Sequence, residues 1–138
     1  MYNIITVKKY LLDTDILVFL FRQKHGIAEI IAHLHPSQIY VSEVSIAELE
    51  YGCWYSGRYE ENKMMLEKFI SQVNFVPFHE AIPLYAREKY RLRSIGQSIM
   101  DFDLLIGCTS VAKGLIMITN NESHLGRIKD IKIENWIK

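Results

Sequence analysis

Three short apolar runs, Tyr10-Leu11-Leu12, Ile39-Tyr40-Val41 and Ile116-Met117-Ile118, are flanked by polar or turn residues and separated by much longer stretches with helical spacing. Such runs read as buried strands, because a strand covered on both faces has no polar side to alternate with. The stretches between them read as helices over Ile16 to Gln23, Ile27 to Leu34, Glu43 to Tyr55, Glu60 to Val73, Ala81 to Arg93 and Phe102 to Lys113. Strands alternating with helices imply an α/β fold on a parallel sheet. Phe75-Val76, ahead of Pro77, and Ile131 to Ile133 are two further strand candidates.

The 138 residues suit one domain, spanning 1–138, and 49% apolar with 23% charged residues is the balance of a folded chain rather than a disordered one. Sixteen basic and sixteen acidic side chains cancel, so net charge neither supports nor excludes a nucleic-acid partner. Cys53 and Cys108 sit in apolar, helix-like stretches and read as buried thiols, not a disulfide framework. No apolar run approaches the roughly 18 residues that suggest a membrane span. Met1 to Asp13 has one basic pair, Lys8-Lys9, and its apolar run stops at Asp13, unlike a signal peptide. The expectation is a cytoplasmic protein without a membrane partner.

Ligands of open parallel sheets bind beyond the carboxyl ends of the strands, and acids gather in the segments that follow them. Asp13 and Asp15 follow the first run. Their carboxylates suit a divalent cation, but acids there also cap helices, with Thr14 or Asp15 better placed for capping than Asp13. Glu48 closes Ser45-Ile46-Ala47-Glu48, which matches a capping box. It also shares a helical stripe with Val44, Ala47, Tyr51 and Tyr55, a largely apolar face on which a lone acid is costly. Glu43 and Glu50 read as solvated surface charges. Asp101 and Asp103 open an apolar helix, and of the two Asp101 suits the cap and Asp103 the ligand role. Three carboxylates without His or Cys partners repel one another unless a cation compensates, and all-oxygen ligation favours Mg2+ or Mn2+.

The order and context of these acids, from Lys9 to Trp136, resemble the VapC-like branch of the PIN-domain ribonucleases. The motifs that carry the resemblance are Leu12-Asp13-Thr14-Asp15, Ala47-Glu48-Leu49-Glu50-Tyr51-Gly52, Asp103-Leu104-Leu105-Ile106-Gly107-Cys108, Thr119-Asn120-Asn121 and the terminal Glu134-Asn135-Trp136. Asn121 stands where some members carry Asp, and Gly107-Cys108 where Ala-Ala is usual. The resemblance implies a three-layer α/β/α fold with a short, mostly parallel central sheet. It further implies a Mg2+- or Mn2+-dependent endoribonuclease, the toxin of a type II toxin–antitoxin pair, forming a homodimer and inhibited by a small VapB-like antitoxin. Asp13, Glu48 and Asp103 are then the catalytic, metal-holding triad, supported by Asn121, Thr14, Asp15 and Thr119.

RNA needs cationic contacts and stacking partners. Arg87, Lys89, Arg91 and Arg93, interleaved with Tyr85 and Tyr90, supply candidates, with Arg87, Arg91 and Arg93 foremost; Arg58, Tyr59 and Lys63 form a lesser group. Trp54, Tyr55, Met64, Met65, Leu66 and Phe69 crowd one helical region, serving either the core or a partner. Two rival readings follow from the same residues. Asp13-Thr14-Asp15 after a strand also fits an aspartyl-phosphate phosphatase-like hydrolase, and acids used only for capping fit a non-catalytic PIN-like binding module.

Overall fold

The computed structural model describes residues 7–137. In chain order it contains β1 (Tyr10–Leu12), α1 (Thr14–Phe21), α2 (Ile27–Ala32), β2 (Ile39–Ser42), α3 (Glu43–Tyr55), α4 (Tyr59–Ile70), β3 (Asn74–Val76), α5 (Ile82–Ser94), α6 (Asp101–Lys113), β4 (Ile116–Ile118), α7 (Glu122–Leu125) and β5 (Ile133–Glu134). The strands form one sheet in the order β3-β2-β1-β4-β5. All four pairings are parallel, so among the described residues the sheet is wholly rather than mostly parallel.

Successive strand residues point to opposite faces, and this alternation builds two cores. Leu11, Met117, Val44, Leu92, Leu104 and Ile106 fill one face, beneath α3, α5 and α6. Tyr10, Leu12, Ile118, Ile39, Val41 and Ile16 fill the other, beneath α1 and α2. The result is a three-layer α/β/α arrangement. Chain order departs from β1 in two directions, to β2 on one side and β4 on the other, which makes the β1–β4 boundary a topological switch point with a crevice beyond its carboxyl end.

Helix and strand boundaries shift for local reasons. Helix α1 begins at Thr14, two residues before the apolar stripe, because Asp13 caps it. Strand β5 is Ile133–Glu134, whereas Ile131 lies in a turn, donating its N–H to Ile128 at 3.4 Å, and packs on the α6 face. Gly114, at φ 66°, ends α6 in the left-handed conformation that admits glycine most readily and lets the chain return into β4.

Cys53 and Cys108 are buried free thiols. No helix of the described residues is long and apolar enough to cross a membrane. The crowded α3–α4 region divides its side chains. Leu66 is buried and Phe69 packs against the second core, while Tyr51, Trp54, Tyr55 and Met64 stay exposed. Trp54 stacks on Tyr59 at 4.1 Å between ring centroids. Glu43 and Glu50 are not free surface charges. Glu43 accepts the Phe78 N–H at 2.8 Å, and Glu50 accepts from Tyr59 Oη and Lys63 Nζ.

Candidate active site at the carboxyl end of the sheet

Asp13 is the first residue beyond β1 and is 4% exposed. Its backbone N–H donates to Ile118 of β4 at 2.9 Å, which fixes it against the neighbouring strand. Both carboxylate oxygens accept hydrogen bonds: Oδ1 from the Thr14 N–H at 2.8 Å and Oδ2 from the Thr119 hydroxyl at 2.8 Å. Asp13 is therefore the N-cap of α1, a role the sequence had given to Thr14 or Asp15. Asp15 contributes at the same helix start, Oδ1 accepting the Ile16 N–H at 2.7 Å, and Oδ2 reaches across to the Asn120 N–H at 3.0 Å.

Glu48 is not part of a capping box. Helix α3 starts two residues before Ser45, at Glu43, with Ser42 as its N-cap, Oγ accepting the Val44 N–H at 3.1 Å. That releases Glu48, which lies partly exposed one turn into the helix. Its Oε1 accepts from Thr14 Oγ1 at 2.8 Å, and Thr14 Oγ1 is also 2.9 Å from Ser45 Oγ. The stripe shared with Val44 is apolar and buried only at that end, since Tyr51 and Tyr55 are exposed; a buried apolar face does not explain Glu48.

Asp101 does not take the capping role expected of it. Met100 is the N-cap of α6 and makes no side-chain bond to it. Asp101 is exposed and accepts from Tyr85 Oη and Lys89 Nζ, each at 2.9 Å. Asp103 is half-buried, and no hydrogen bond to its carboxylate is found among the described residues. Beyond β4, the buried Thr119 hydroxyl that donates to Asp13 also accepts the Asn121 N–H at 2.9 Å, and Asn121 Oδ1 is 2.6 Å from His124 Nδ1. His124 lies close enough to Asp103 to stabilise its anion. Neither His124 nor Ser45 stood out in the sequence, His124 because it is isolated along the chain and Ser45 because it looked like a cap.

Charge is the site's unsolved cost. Burial, joined by the neighbouring Asp15 and Asp103 charges, pushes the Asp13 carboxyl up to about 7, against the pull of its two hydrogen bonds. Burial also raises Asp15 and Asp103, and each of Asp13 and Asp15 feels Asp103. These acids share one electrostatic environment, and no ion pair neutralises any of them among the described residues. An all-oxygen donor set with uncompensated negative charge fits a hard divalent cation. Among the described residues no three acidic, imidazole or thiol side chains stand close enough to enclose an ion unaided. Magnesium does not require that, because it keeps several waters and takes one or two carboxylates.

The basic side chains of α5 separate by partner. Arg91 donates through Nε and Nη2 to the fully buried Glu88, both at 2.8 Å, and through Nη2 to the Arg127 carbonyl at 2.8 Å. It is a structural clamp, and its guanidinium has little left to offer a phosphate. Lys89 is paired with Asp101. Arg87 and Arg93 are exposed and retain their donors for an external anion.

A wholly parallel α/β sheet whose switch point gathers hydrogen-bonded but unneutralised acids defines a class of carboxylate-based hydrolytic sites. Comparison with known proteins agrees. Residues 10–130 match the PIN domain family. Ribonuclease VapC1 of Haemophilus influenzae strain R2866 is 31% identical over 132 residues, covering 94% of this chain and 98% of the relative. The tRNA(fMet)-specific endonuclease VapC of Shigella flexneri is 27% identical over 129 residues, covering 93% and 98%. Among solved structures, a chain of the DNA-bound VapBC complex of Salmonella typhimurium superposes with a TM-score of 0.86 at 28% identity, covering 94% of this chain and 99% of that one. The chain belongs to the PIN-domain family, in its VapC-like branch of nuclease toxins.

Proposed function

We propose that this protein is a Mg2+- or Mn2+-dependent endoribonuclease, the toxic component of a toxin–antitoxin pair, acting in the cytoplasm as a single PIN domain over residues 1–138. The observation that carries the chemistry is the buried Asp13 carboxyl beyond β1, hydrogen-bonded but in no ion pair among the described residues, which burial and the nearby Asp15 and Asp103 charges raise to about 7. Asp13 and Asp103 would hold the ion, with Glu48 reaching it through water. When bound, such an ion supplies a hydroxide at neutral pH and neutralises charge on a scissile phosphate.

The protein's own residues do the rest. Thr119 and the Thr14 N–H hold the two Asp13 oxygens at fixed positions. Glu48 orients the attacking water, Thr14 fixes Glu48 through its hydroxyl, and Asn121 offers its amide to phosphate or water. Arg87 and Arg93 attract the RNA backbone from α5.

An antitoxin partner is supported by a mostly apolar cavity of about 220 Å3 among α1, α3 and α4, lined by Val18, Phe21, Leu49 and Met65 with Arg22 and Asn62 among its polar residues. Tyr51, Trp54, Tyr55 and Met64 are also exposed on the same two later helices, and clustered exposed apolar side chains mark partner surfaces. We further propose a homodimer. The phosphatase-like reading has no support beside the PIN domain match over residues 10–130 and the ribonuclease relatives.

The deciding experiment incubates purified protein with end-labelled RNA in Mg2+, in Mn2+ and in EDTA, beside Asp13→Asn and Asp103→Asn. Cleavage by the wild type in either metal, lost in EDTA and in both variants, is the expected result. Equal cleavage by the wild type and Asp13→Asn would overturn the assignment.

A further inference from the structure

Ser45 is fully buried, at 0% exposed, and with Ser42 capping α3 its hydroxyl has no capping duty. Its partner is Thr14 Oγ1 at 2.9 Å, the same oxygen that lies 2.8 Å from Glu48 Oε1. Proton counting fixes the direction of this chain. A carboxylate only accepts, and a hydroxyl carries one proton while offering two acceptor sites. Thr14 spends its proton on Glu48, so the proton between Ser45 and Thr14 must be that of Ser45. A buried hydroxyl is costly unless bonded, which holds Ser45 to this single arrangement.

Taking Glu48 as the water-orienting acid of the ribonuclease site proposed above, we infer that Ser45 is a positioning residue for it. By donating to Thr14, Ser45 commits the Thr14 proton to Glu48 Oε1 and leaves Oε2 as the oxygen free to accept from water. The Ser45-x-x-Glu48 spacing thus places donor and final acceptor on one face of α3, one turn apart, with Thr14 of α1 bridging them. Without Ser45, Thr14 is free to turn its hydroxyl toward water or phosphate, and a partly exposed glutamate regains its rotamers.

The test compares wild type with Ser45→Ala, Thr14→Val, Thr14→Ser and the Ser45→Ala/Thr14→Val pair. It measures kcat and KM on a short RNA in Mn2+, Mn2+ affinity by calorimetry, and Tm. Ser45→Ala should lower kcat between about tenfold and a hundredfold, the scale of misplacing a catalytic group, with KM, Mn2+ affinity and Tm nearly unchanged. Thr14→Ser should retain most activity. The double variant should lose no more than Thr14→Val alone, because residues acting through one path are not additive. Wild-type kcat in Ser45→Ala, multiplying losses in the pair, or a loss that follows Tm or Mn2+ affinity would each overturn the proposal. A crystal structure of Ser45→Ala supplies the arm independent of activity, with Glu48 expected to leave Thr14; an unchanged Glu48–Thr14 bond sinks the inference. A wild type that cuts no RNA rejects the ribonuclease reading instead, and that structure still decides the role of Ser45.

Discussion

Asp13 and Thr119 stand 106 positions apart in the chain, yet the Thr119 hydroxyl donates to Asp13 Oδ2 at 2.8 Å across the ends of β1 and β4. This bond, together with the Thr14 N–H on Oδ1, orients a carboxylate that burial would otherwise drive to neutrality. The site therefore holds an anion by hydrogen bonds alone, and several measurable consequences follow from that tension.

Replacing Asp13 by Asn removes the buried charge while keeping an acceptor for Thr119. Metal-free protein carrying Asp13→Asn should gain stability at pH 8, because losing the buried charge outweighs the one hydrogen bond, worth about 1 kcal/mol, that an amide nitrogen cannot accept, while RNA cleavage falls below detection. Thermal melts in EDTA check the first half. A lower Tm for the variant would show that the native carboxylate is not under electrostatic strain.

The same carboxylate sets the pH dependence of stability without metal. Its folded pKa of about 7 lies above the ordinary 3.8, so the folded state binds the extra proton between those values. Stability then falls as pH rises from about 4 to about 7 and levels off above, with Asp15 and Asp103 raised in the same direction. Urea midpoints should be higher at pH 5 than at pH 8. Saturating Mg2+ should recover the difference at pH 8, because a ligand of the native state stabilises it. A midpoint that rises from pH 5 to pH 8 in EDTA contradicts the prediction.

Glu88 works in the opposite sense. Its Arg91 partner and the Lys129 N–H at 2.7 Å hold the carboxyl down to about 2, so its contribution is present above about 4.5 and is lost as pH falls toward 2. Arg91→Ala leaves a fully buried carboxylate without its charge partner and should cost about 3–5 kcal/mol. Arg91→Ala with Glu88→Gln should recover part of that. Equal losses in the single and double variants would mean that the clamp acts through packing alone.

Gly107 on α6 has no room to spare. A Cβ there meets the Ile128 Cδ1 atom, with Ile131 Cδ1 at 3.5 Å and Leu125 Cδ2 at 3.7 Å. Ala is tolerable, since the tip of Ile128 can rotate and the helix gains intrinsic propensity of about 1 kcal/mol. Val should cost about 1–3 kcal/mol through overpacking. Denaturation midpoints of Gly107→Ala and Gly107→Val separate the two, and similar values for both would argue that this face repacks freely.

Arg87→Glu and Arg93→Glu should weaken RNA binding and flatten its salt dependence, roughly one unit of log–log slope for each phosphate contact removed. Arg91→Lys should leave the slope unchanged. Fluorescence anisotropy with a labelled RNA in Ca2+ at several salt concentrations checks all three, and a slope altered by Arg91→Lys but not by Arg87→Glu would reverse the assignment.

Much of the fold lies on the surface of the sequence, because fully covered strands must be continuous apolar runs and Leu11, Met117 and Val41 had nowhere else to go. Asp13, Asp103 and Asn121 stood out as candidates by their place after strands or at helix starts. What escaped depended on partners distant in the chain. The Ser45-x-x-Glu48 pattern made Glu48 look like part of a capping box, although the helical spacing from Glu43 onward already put the helix start upstream, where Ser42 caps it. Glu43 and Glu50 looked solvated because the Phe78 N–H and Lys63 come from elsewhere. Arg91 looked like an RNA contact until Glu88 proved to be completely buried beside it.

The order of the strands also bears on how such a protein is made. Asp13 and Glu48 emerge early in synthesis, but β4, Asp103 and Thr119 come from the last third of the chain, and β4 must insert beside β1 before Asp13 gains its second hydrogen bond. A chain stopped after α5 carries Asp13, Asp15 and Glu48 but lacks Asp103 and the β4 side of the crevice. The two-bonded geometry of Asp13 is thus available only to a chain that has already produced β4 and Thr119.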